Sequence, residues 1–360
     1  MFYKFRKLIF ILLLINNFAF SQDDQDIAPP PGMRGTPSNL PDISVIGDFL
    51  GAVSDTKSPE FYVREIELAL QGYIYPEMRA DIFLALHKHD NQIELDVEEA
   101  YASFLNLIDG LNLKAGKLLV DFGKVNRLHP HKRLYVDLPT SLTNFFGNHG
   151  FNAEGITAQY LLPLPFFAQI EAGSWWLPGQ HQHNHSDTSE EYTEFGLANK
   201  AISSRLWTSF STSEKSELEI GASFVIGKGS HYKEHQGDVK IFGTDLTLKY
   251  WASTYERLTF QTEVFNLRKT VPIEKLNRWS FYNYAGYKFN KYWEVGALYD
   301  WAENALHEYE KSNTLSGVIT NHLTESTMIR FQYGHNFQAK SDVAYLSLIF
   351  GIGPHSHPLK

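Results

Sequence analysis

Hydrophobic and polar residues alternate along most of the chain, and residues 64–86 show this pattern most clearly. Their first run places apolar side chains on one face (Ile66, Leu68, Leu70, Ile74) and polar side chains on the other (Glu65, Glu67, Gln71). A second run of the same period follows a turn at Tyr75, Pro76 and Glu77. A period of two is typical of β-strands, so this stretch predicts two strands joined by a short turn.

Runs of the same period recur to the end of the chain and predict sixteen strands, with fourteen as the alternative count. The predicted strands lie near 42–53, 64–75, 78–88, 91–107, 110–121, 152–162, 165–176, 192–212, 216–228, 239–253, 256–268, 279–290, 291–302, 313–323, 326–336 and 342–352.

The connections between these runs favour a closed membrane barrel over a soluble β-sandwich. Short turns and longer polar loops alternate strictly along the chain, whereas a sandwich has no reason to sort its loops by length. Outer-membrane barrels have short periplasmic turns, longer outer loops and an even number of strands. We therefore predict an all-β fold, a transmembrane antiparallel β-barrel over residues 42–352, followed by a tail at 353–360. Its apolar faces would meet lipid and its charged faces would line water.

The first residues predict export from the cytoplasm. Three basic residues precede an apolar run at residues 8–15, and small residues precede a cleavage position after Ser21. The apolar run is too short to span a bilayer, which takes about 20 residues. We expect a cleaved signal peptide over 1–21, a flexible linker over 22–41 and a mature protein in the outer membrane of a Gram-negative bacterium.

Composition excludes several classes of protein. The chain contains no cysteine, so it has neither a lipoprotein signal nor a disulfide framework. Removing residues 1–21 takes away three basic and no acidic residues, so the formal charge of −9 becomes −12. Such acidity argues against nucleic acid as a partner.

The longest predicted loop, residues 122–151, concentrates basic residues in a chain that is acidic elsewhere. It would be the third outer loop, the position at which general porins fold a loop into the pore. Positive side chains in such a constriction would favour anions through their field and their hydrogen bonds. The alternative is an exposed loop whose basic residues are solvated or pair with lipopolysaccharide phosphates. The candidate constriction residues are Lys124, Arg127, His129, His131, Lys132 and Arg133.

Histidines form the second candidate site. His181, His183 and His185 lie in the loop after the seventh predicted strand, where alternate residues of an extended chain project to one side. Three imidazoles could then bind one Zn²⁺ or Cu²⁺ ion. Histidine-rich loops also bind metal adventitiously, and this alternative stays open. Further histidine pairs occur at 87 and 89, 129 and 131, and 355 and 357.

Common catalytic motifs are absent from the sequence. It contains no G-x-S-x-G, no H-E-x-x-H, no glycine-rich phosphate loop and no paired cysteine ligands. We therefore expect neither enzymatic activity nor a required cofactor.

Several segments carry a family resemblance. They are "PDISVIGDFLG" at 41–51, "VREIELALQGYIYPEMRADIFLAL" at 63–86, "IELDVEEAYASF" at 93–104, "LKAGKLLVDFGKVNRLHPH" at 113–131, "VDLP" and "NFFG" within 136–147, and "FGIGPHSHP" at 350–358. They resemble a poorly characterised family of bacterial outer-membrane barrels, often labelled zinc-regulated TonB-dependent outer-membrane receptors and similar to phosphate-selective porins. The resemblance implies an outer-membrane barrel with a link to zinc. TonB-dependent receptors have 22 strands and a plugged lumen, which this chain is too short to form.

These patterns together predict a porin-like channel for passive diffusion of small solutes or ions, with a preference for anions through the loop at 122–151. A zinc-linked, metal-binding receptor that uses the His-rich loops is the alternative from another class, and a barrel enzyme is the third. The expected partners are outer-membrane lipid and lipopolysaccharide, the barrel assembly machinery, small solutes or ions, and further copies of the chain in a homotrimer.

Overall fold

A computed structural model of the chain describes residues 41–89, 92–177, 197–232, 235–272, 274–304 and 311–354. The predicted signal peptide and the predicted linker, apart from residue 41, lie outside these ranges. The histidines at 181, 183 and 185 also lie outside them, as does most of the predicted tail.

Strands make up most of the described chain. They are β1 (Asp42–Ser54), β2 (Glu60–Tyr75), β3 (Met78–His89), β4 (Gln92–Ile108), β5 (Leu111–Leu119), β6 (Asn152–Leu161), β7 (Phe167–Leu177), β8 (Leu197–Ser213), β9 (Ser216–Tyr232), β10 (His235–Trp251), β11 (Arg257–Val271), β12 (Glu274–Lys288), β13 (Trp293–Glu303), β14 (Lys311–His322), β15 (Thr327–Asn336) and β16 (Ser341–Ile352). Between β5 and β6 lie a 3₁₀ helix (Pro130–Lys132) and the short helix α1 (Thr140–Phe146). Among the described residues, no helix has the length and apolar character needed to cross a bilayer.

The sheet closes on itself. Each strand pairs antiparallel with its neighbours in sequence, and β1 also pairs with β16. At this seam Gly47 lies opposite Phe350, and a Cβ on Gly47 would come within 2.7 Å of the Phe350 ring. Glycine therefore makes room for the aromatic side chain of the last strand. The closed sheet of sixteen strands confirms the predicted fold class, and the alternative count of fourteen is wrong.

The two faces of the strands point as the alternation predicts. In β2 the Glu65 and Glu67 side chains are buried inside the barrel, whereas Ile66 and Leu68 stay partly exposed on the outside. Unpaired backbone groups are costly in hydrocarbon, and a closed sheet leaves none at an edge. The outer apolar face can therefore lie against lipid.

One end of the barrel, termed the turn end, carries connections from each even-numbered strand to the next odd-numbered one. Pro76 and Glu77 join β2 to β3, and Asp109 and Gly110 join β4 to β5. Gly110 has a φ of 78°, a left-handed conformation that glycine adopts at little steric cost. The short turns at this end are confirmed.

The opposite end, termed the loop end, departs from the predicted strict alternation of short and long connections. Two residues separate β3 from β4, β9 from β10, and β11 from β12. The strands are longer instead, since β9 and β10 each run for 17 residues, whereas about 9–11 residues cross a bilayer. Polar stretches that we predicted to be loops therefore belong to the strands and extend the paired part of the sheet. Among the described residues, one long connection lies at the loop end and spans residues 120–151.

The largest buried apolar cluster lies inside the barrel, where the sequence predicted a charged face lined by water. Val225, Ile241 and Phe265 of the wall belong to this cluster together with Phe122. The rings of Phe122 and Phe265 stack with their centroids 6.0 Å apart. The prediction of a water-lined face is wrong for this part of the wall, because residues 120–151 fold into the lumen and cover it.

Candidate functional site

Residues 120–151 connect β5 to β6 and are termed the luminal loop. The two ends of this loop approach each other at a narrow neck. Val120 donates its N–H to the Phe151 carbonyl at 2.9 Å. The Asn126 amide donates to the carbonyls of Val120 and Phe151 at 2.8 and 3.0 Å, and its oxygen accepts the Phe151 N–H at 2.6 Å. Loops of this kind, with ends held close and an interior filled by their own side chains, are compact units that often carry function.

Glu263 of β11 fixes the first turn of the luminal loop. Its carboxylate accepts the N–H groups of Lys124 and Val125 at 2.9 and 3.0 Å. It also accepts the Tyr282 hydroxyl at 2.6 Å. Gly123 has a φ of 66°, and a Cβ there would collide with a Glu263 oxygen. Both the backbone conformation and the close approach of the carboxylate therefore require glycine.

The first two basic residues of the luminal loop are matched by carboxylates. Lys124 forms a buried ion pair with Glu219 of β9. Burial lowers the pKa of the Lys124 ammonium, and the attraction of Glu219 opposes that shift. Arg127 donates to Asp121 at 2.7 Å. Both cations lie over the Trp207 ring, at 5.5 and 5.1 Å from its centroid, so their charges are compensated and their positions fixed.

His129 lies where the luminal loop meets β2 and β4. Its Nδ1 atom is 2.8 Å from a Glu67 oxygen and 3.1 Å from a Glu98 oxygen. Its Nε2 atom is 2.9 Å from a Glu99 oxygen. Burial alone would lower the pKa of this imidazole, but its interactions with the three surrounding carboxylates raise the pKa well above the usual value.

The remaining basic candidates have different surroundings. His131 is buried, with its Nδ1 atom 3.9 Å from a Glu67 oxygen. Lys132 is exposed. Arg133 donates to the Leu128 carbonyl at 3.1 Å. The six candidates therefore do not form one cluster of uncompensated positive charge.

Helix α1 of the luminal loop is anchored to β12 and β13. The Asp300 carboxylate accepts the N–H groups of Thr140 and Ser141 at 2.5 and 3.1 Å. These N–H groups have no partner within a helix, and a carboxylate at this end also interacts favourably with the helix dipole. Ser280 donates its hydroxyl proton to the Ser141 carbonyl at 2.7 Å. The wall thus supplies the N-terminal cap that the helix sequence lacks.

A third set of contacts lies beside the β1–β16 seam. Arg64 of β2 donates to the Val136 carbonyl at 2.8 Å. Arg330 of β15 donates to the neighbouring Tyr135 carbonyl at 3.2 Å. Gln332 of the same strand accepts the Val136 N–H at 2.8 Å. Two strands on either side of the seam therefore hold consecutive peptide groups of the luminal loop.

The luminal loop crosses the barrel. Its contacts reach β2 and β4 through His129, β9 and β11 through Lys124, β12 and β13 through α1, and β15 through Tyr135. A segment bonded to so many strands narrows the lumen and cannot swing freely at the loop end. This arrangement places charged and polar side chains of the loop inside the barrel.

The wall carboxylates that hold the luminal loop are the residues that sequence reasoning missed. Glu67 and Glu263 stand on the lumen side of their strands, and the alternation alone identifies them as facing inward. Their loop partners lie 62 or more positions away along the chain. Only the closed barrel brings them together.

The chain has the fold of known outer-membrane porins. A loop-deletion mutant of OmpT from Vibrio cholerae aligns with a TM-score of 0.59 at 10% identity, over 87% of this chain and 99% of that one. The anion-selective porin from Comamonas acidovorans aligns with the same TM-score and identity, over 86% and 98%. Salmonella typhi OmpF in complex with daunomycin aligns with a TM-score of 0.58 at 10% identity, over 87% of this chain and 97% of that one. The label of TonB-dependent receptor gains no support from these structures or from the sixteen strands.

Sequence comparison adds one relative. An uncharacterized protein of Aquifex aeolicus (strain VF5) is 28% identical over an alignment of 354 positions that covers 82% of this chain and 73% of the relative. No family model matches the chain.

Proposed function

We propose that the chain is a porin-like channel of the outer membrane through which small solutes or ions diffuse passively. The observation that carries this proposal is the luminal loop, which crosses a closed barrel and is bonded to several sides of its wall. The proposal assigns transport to the chain and no catalysis. Solved structures of similar fold include porins and the outer-membrane channel DcaP of Acinetobacter baumannii, which supports this class of function.

A preference for anions is the finer part of the proposal. Lys124 and Arg127 each face a carboxylate and His129 faces three, so none of these residues adds net positive charge to the lumen. Lys132 is exposed, and Arg133 donates to a carbonyl rather than to a carboxylate. The preference therefore rests on Lys132 and Arg133, because a positive charge in a narrow passage attracts anions.

Single-channel recording in planar bilayers tests both parts. We expect the wild-type protein to conduct and, under a salt gradient, to show a reversal potential on the anion side. Lys132→Glu should move that potential toward cations. Lys215→Glu changes the same charge in the turn between β8 and β9, outside the luminal loop, and should have a smaller effect, because charges separated from the ion path by more than about 8 Å are largely screened at physiological salt.

The possible results separate the two parts of the proposal. A folded wild-type protein that does not conduct contradicts the channel. A wild-type reversal potential on the cation side contradicts the anion preference and leaves the channel standing. Equal reversal potentials in the wild type and in Lys132→Glu contradict the role assigned to Lys132.

The proposal includes assembly into a homotrimer within outer-membrane lipid. A trimeric form of Vibrio cholerae OmpT has a similar fold, with a TM-score of 0.58. Native mass spectrometry of the detergent-extracted protein should give three times the monomer mass. A monomeric mass under conditions that preserve the folded barrel would contradict the trimer.

A further inference from the structure

A cluster of histidine and glutamate side chains occupies the junction between the luminal loop and the wall. Within the described part of the chain, two groups have ligand atoms that all lie within 4.8 Å of one another. One group is Glu67, Glu98 and His129, and the other is Glu65, His87 and Glu98. Glu98 belongs to both groups, so the five residues form one continuous set of donors.

The spacing of the first group matches the ligand shell of a small divalent cation. The Nδ1 atom of His129 lies 2.8 and 3.1 Å from oxygens of Glu67 and Glu98. Bonds of about 2.0–2.2 Å from zinc to nitrogen and oxygen place neighbouring ligands about 3.3 Å apart in a tetrahedron. Small side-chain adjustments would therefore admit the ion between these three atoms.

The second nitrogen of His129 supports this interpretation. Its Nε2 atom lies 2.9 Å from a Glu99 oxygen. Histidines that bind metal through one nitrogen usually donate the proton of the other to a carboxylate, which fixes the ring orientation and increases ligand basicity. Glu99 is placed for that role, while Nδ1 faces the two carboxylates of the proposed ligand set.

Charge and access also fit a cation. Three carboxylates surround one buried imidazole, and buried charge is costly unless it is compensated. The Glu98 side chain keeps 19% of its surface exposed, so the junction is reachable from water. The mixed nitrogen and oxygen donors suit Zn²⁺ and other transition metals better than Ca²⁺ or Mg²⁺, which prefer oxygen ligands alone.

We propose that Glu67, Glu98 and His129 bind a divalent transition-metal ion, with Zn²⁺ the best match, and that this ion fastens the luminal loop to β2 and β4. Glu65 and His87 extend the site through the shared Glu98. The site differs from the outer-loop histidines suggested by the sequence, and its existence does not depend on transport through the barrel.

The test uses the full chain folded in detergent, with His181, His183 and His185 replaced by asparagine to remove the competing histidine-rich loop. Zn²⁺ binding is measured by equilibrium dialysis with metal analysis, and the ligands are identified by X-ray absorption at the zinc edge. We expect one tightly bound Zn²⁺ per chain, with light-atom donors and the outer-shell scattering of one coordinated imidazole ring. A hundredfold excess of Ca²⁺ or Mg²⁺ should not displace it.

Single substitutions locate the ion. Glu98→Gln keeps the size of the side chain and should lower Zn²⁺ affinity at least tenfold, as should His129→Gln. Glu99→Gln keeps all three ligands and should lower affinity by about 10–100-fold through the weakened support of His129. His322→Gln is the matched control, because His322 lies 4.0 Å from Glu294 elsewhere in the barrel and should leave binding unchanged.

Gel mobility of unheated samples and circular dichroism identify any variant that fails to fold, and only folded variants are compared. No Zn²⁺ in the background lacking the three outer-loop histidines would overturn the proposal. So would equal binding in folded Glu98→Gln, His129→Gln and His322→Gln. A zinc-edge spectrum that lacks the outer-shell scattering of a coordinated imidazole ring would also overturn it, because His129 must supply a ligand.

Discussion

The Asn126 side chain forms two hydrogen bonds with the backbone of Phe151, donating to its carbonyl at 3.0 Å and accepting its N–H at 2.6 Å. This pair closes the neck of the luminal loop where the loop leaves the wall. Everything between the two residues is thereby held as one unit inside the barrel. The neck is consequently the place where a small change should alter the proposed pore without altering the sheet.

We expect Asn126→Ala to loosen the neck and raise single-channel conductance, while the protein still migrates as a folded barrel on unheated gels. Each buried group that loses its hydrogen-bond partner should destabilise the folded loop by about 1–3 kcal/mol. Asn112→Ala is the control, since Asn112 lies near the turn end and accepts the Asn106 N–H at 2.9 Å. Equal conductance in the two variants would show that the neck does not control the pore.

Gly123→Ala should displace the start of the luminal loop, because the added methyl collides with Glu263 at a positive φ. The strain should cost about 1–3 kcal/mol and expose the peptide bonds after Lys124 and Arg127 to trypsin. Limited proteolysis of the folded protein measures this exposure. Gly317→Ala adds the same methyl where no atom lies within 4 Å, and this variant should resist trypsin as the wild type does. Resistance in both variants would contradict the predicted displacement.

Asp300→Ala should destabilise helix α1, because the N–H groups of Thr140 and Ser141 lose their shared acceptor. We expect the free energy of local unfolding of α1 to fall by about 1–3 kcal/mol. This loss should be seen as faster hydrogen exchange in a peptide covering 140–146. Asp238→Ala is the control, because Asp238 pairs with Lys228 in an exposed position, where such pairs contribute about 0–1 kcal/mol. The prediction fails if exchange in 140–146 is the same in both variants.

Leu68→Arg and Leu246→Arg should each impair insertion into lipid vesicles, by about 2–4 kcal/mol if the position is near the bilayer midplane. Thr247→Ser changes a buried side chain on the luminal face and should insert as the wild type does. Glu67 does not serve as a second luminal control, because it contacts His129 of the luminal loop. Folding yield against urea concentration measures the difference. Similar yields for all three variants would mean that the faces are assigned incorrectly.

The sequence by itself determined the barrel. Each strand shows its own alternation of polar and apolar residues, as Glu65, Ile66, Glu67 and Leu68 do. An antiparallel sheet that pairs mainly strands adjacent in sequence needs little long-range information. The number of strands, their approximate positions and the direction of their faces followed from that local pattern. The lengths of the loop-end connections did not, because polar residues can continue a strand pair beyond the membrane as well as form a loop.

The tertiary structure alone decided what fills the barrel. Lys124 and His129 looked like free positive charges in the sequence, yet the closed sheet places Glu219 and Glu67 against them. Contacts between a loop and distant strands depend on the curvature of the wall and the path of the chain through the lumen, and neither leaves a periodic signal. The same reason explains why the histidine and glutamate cluster at Glu98 emerged only from the fold, since its members come from three strands and a loop.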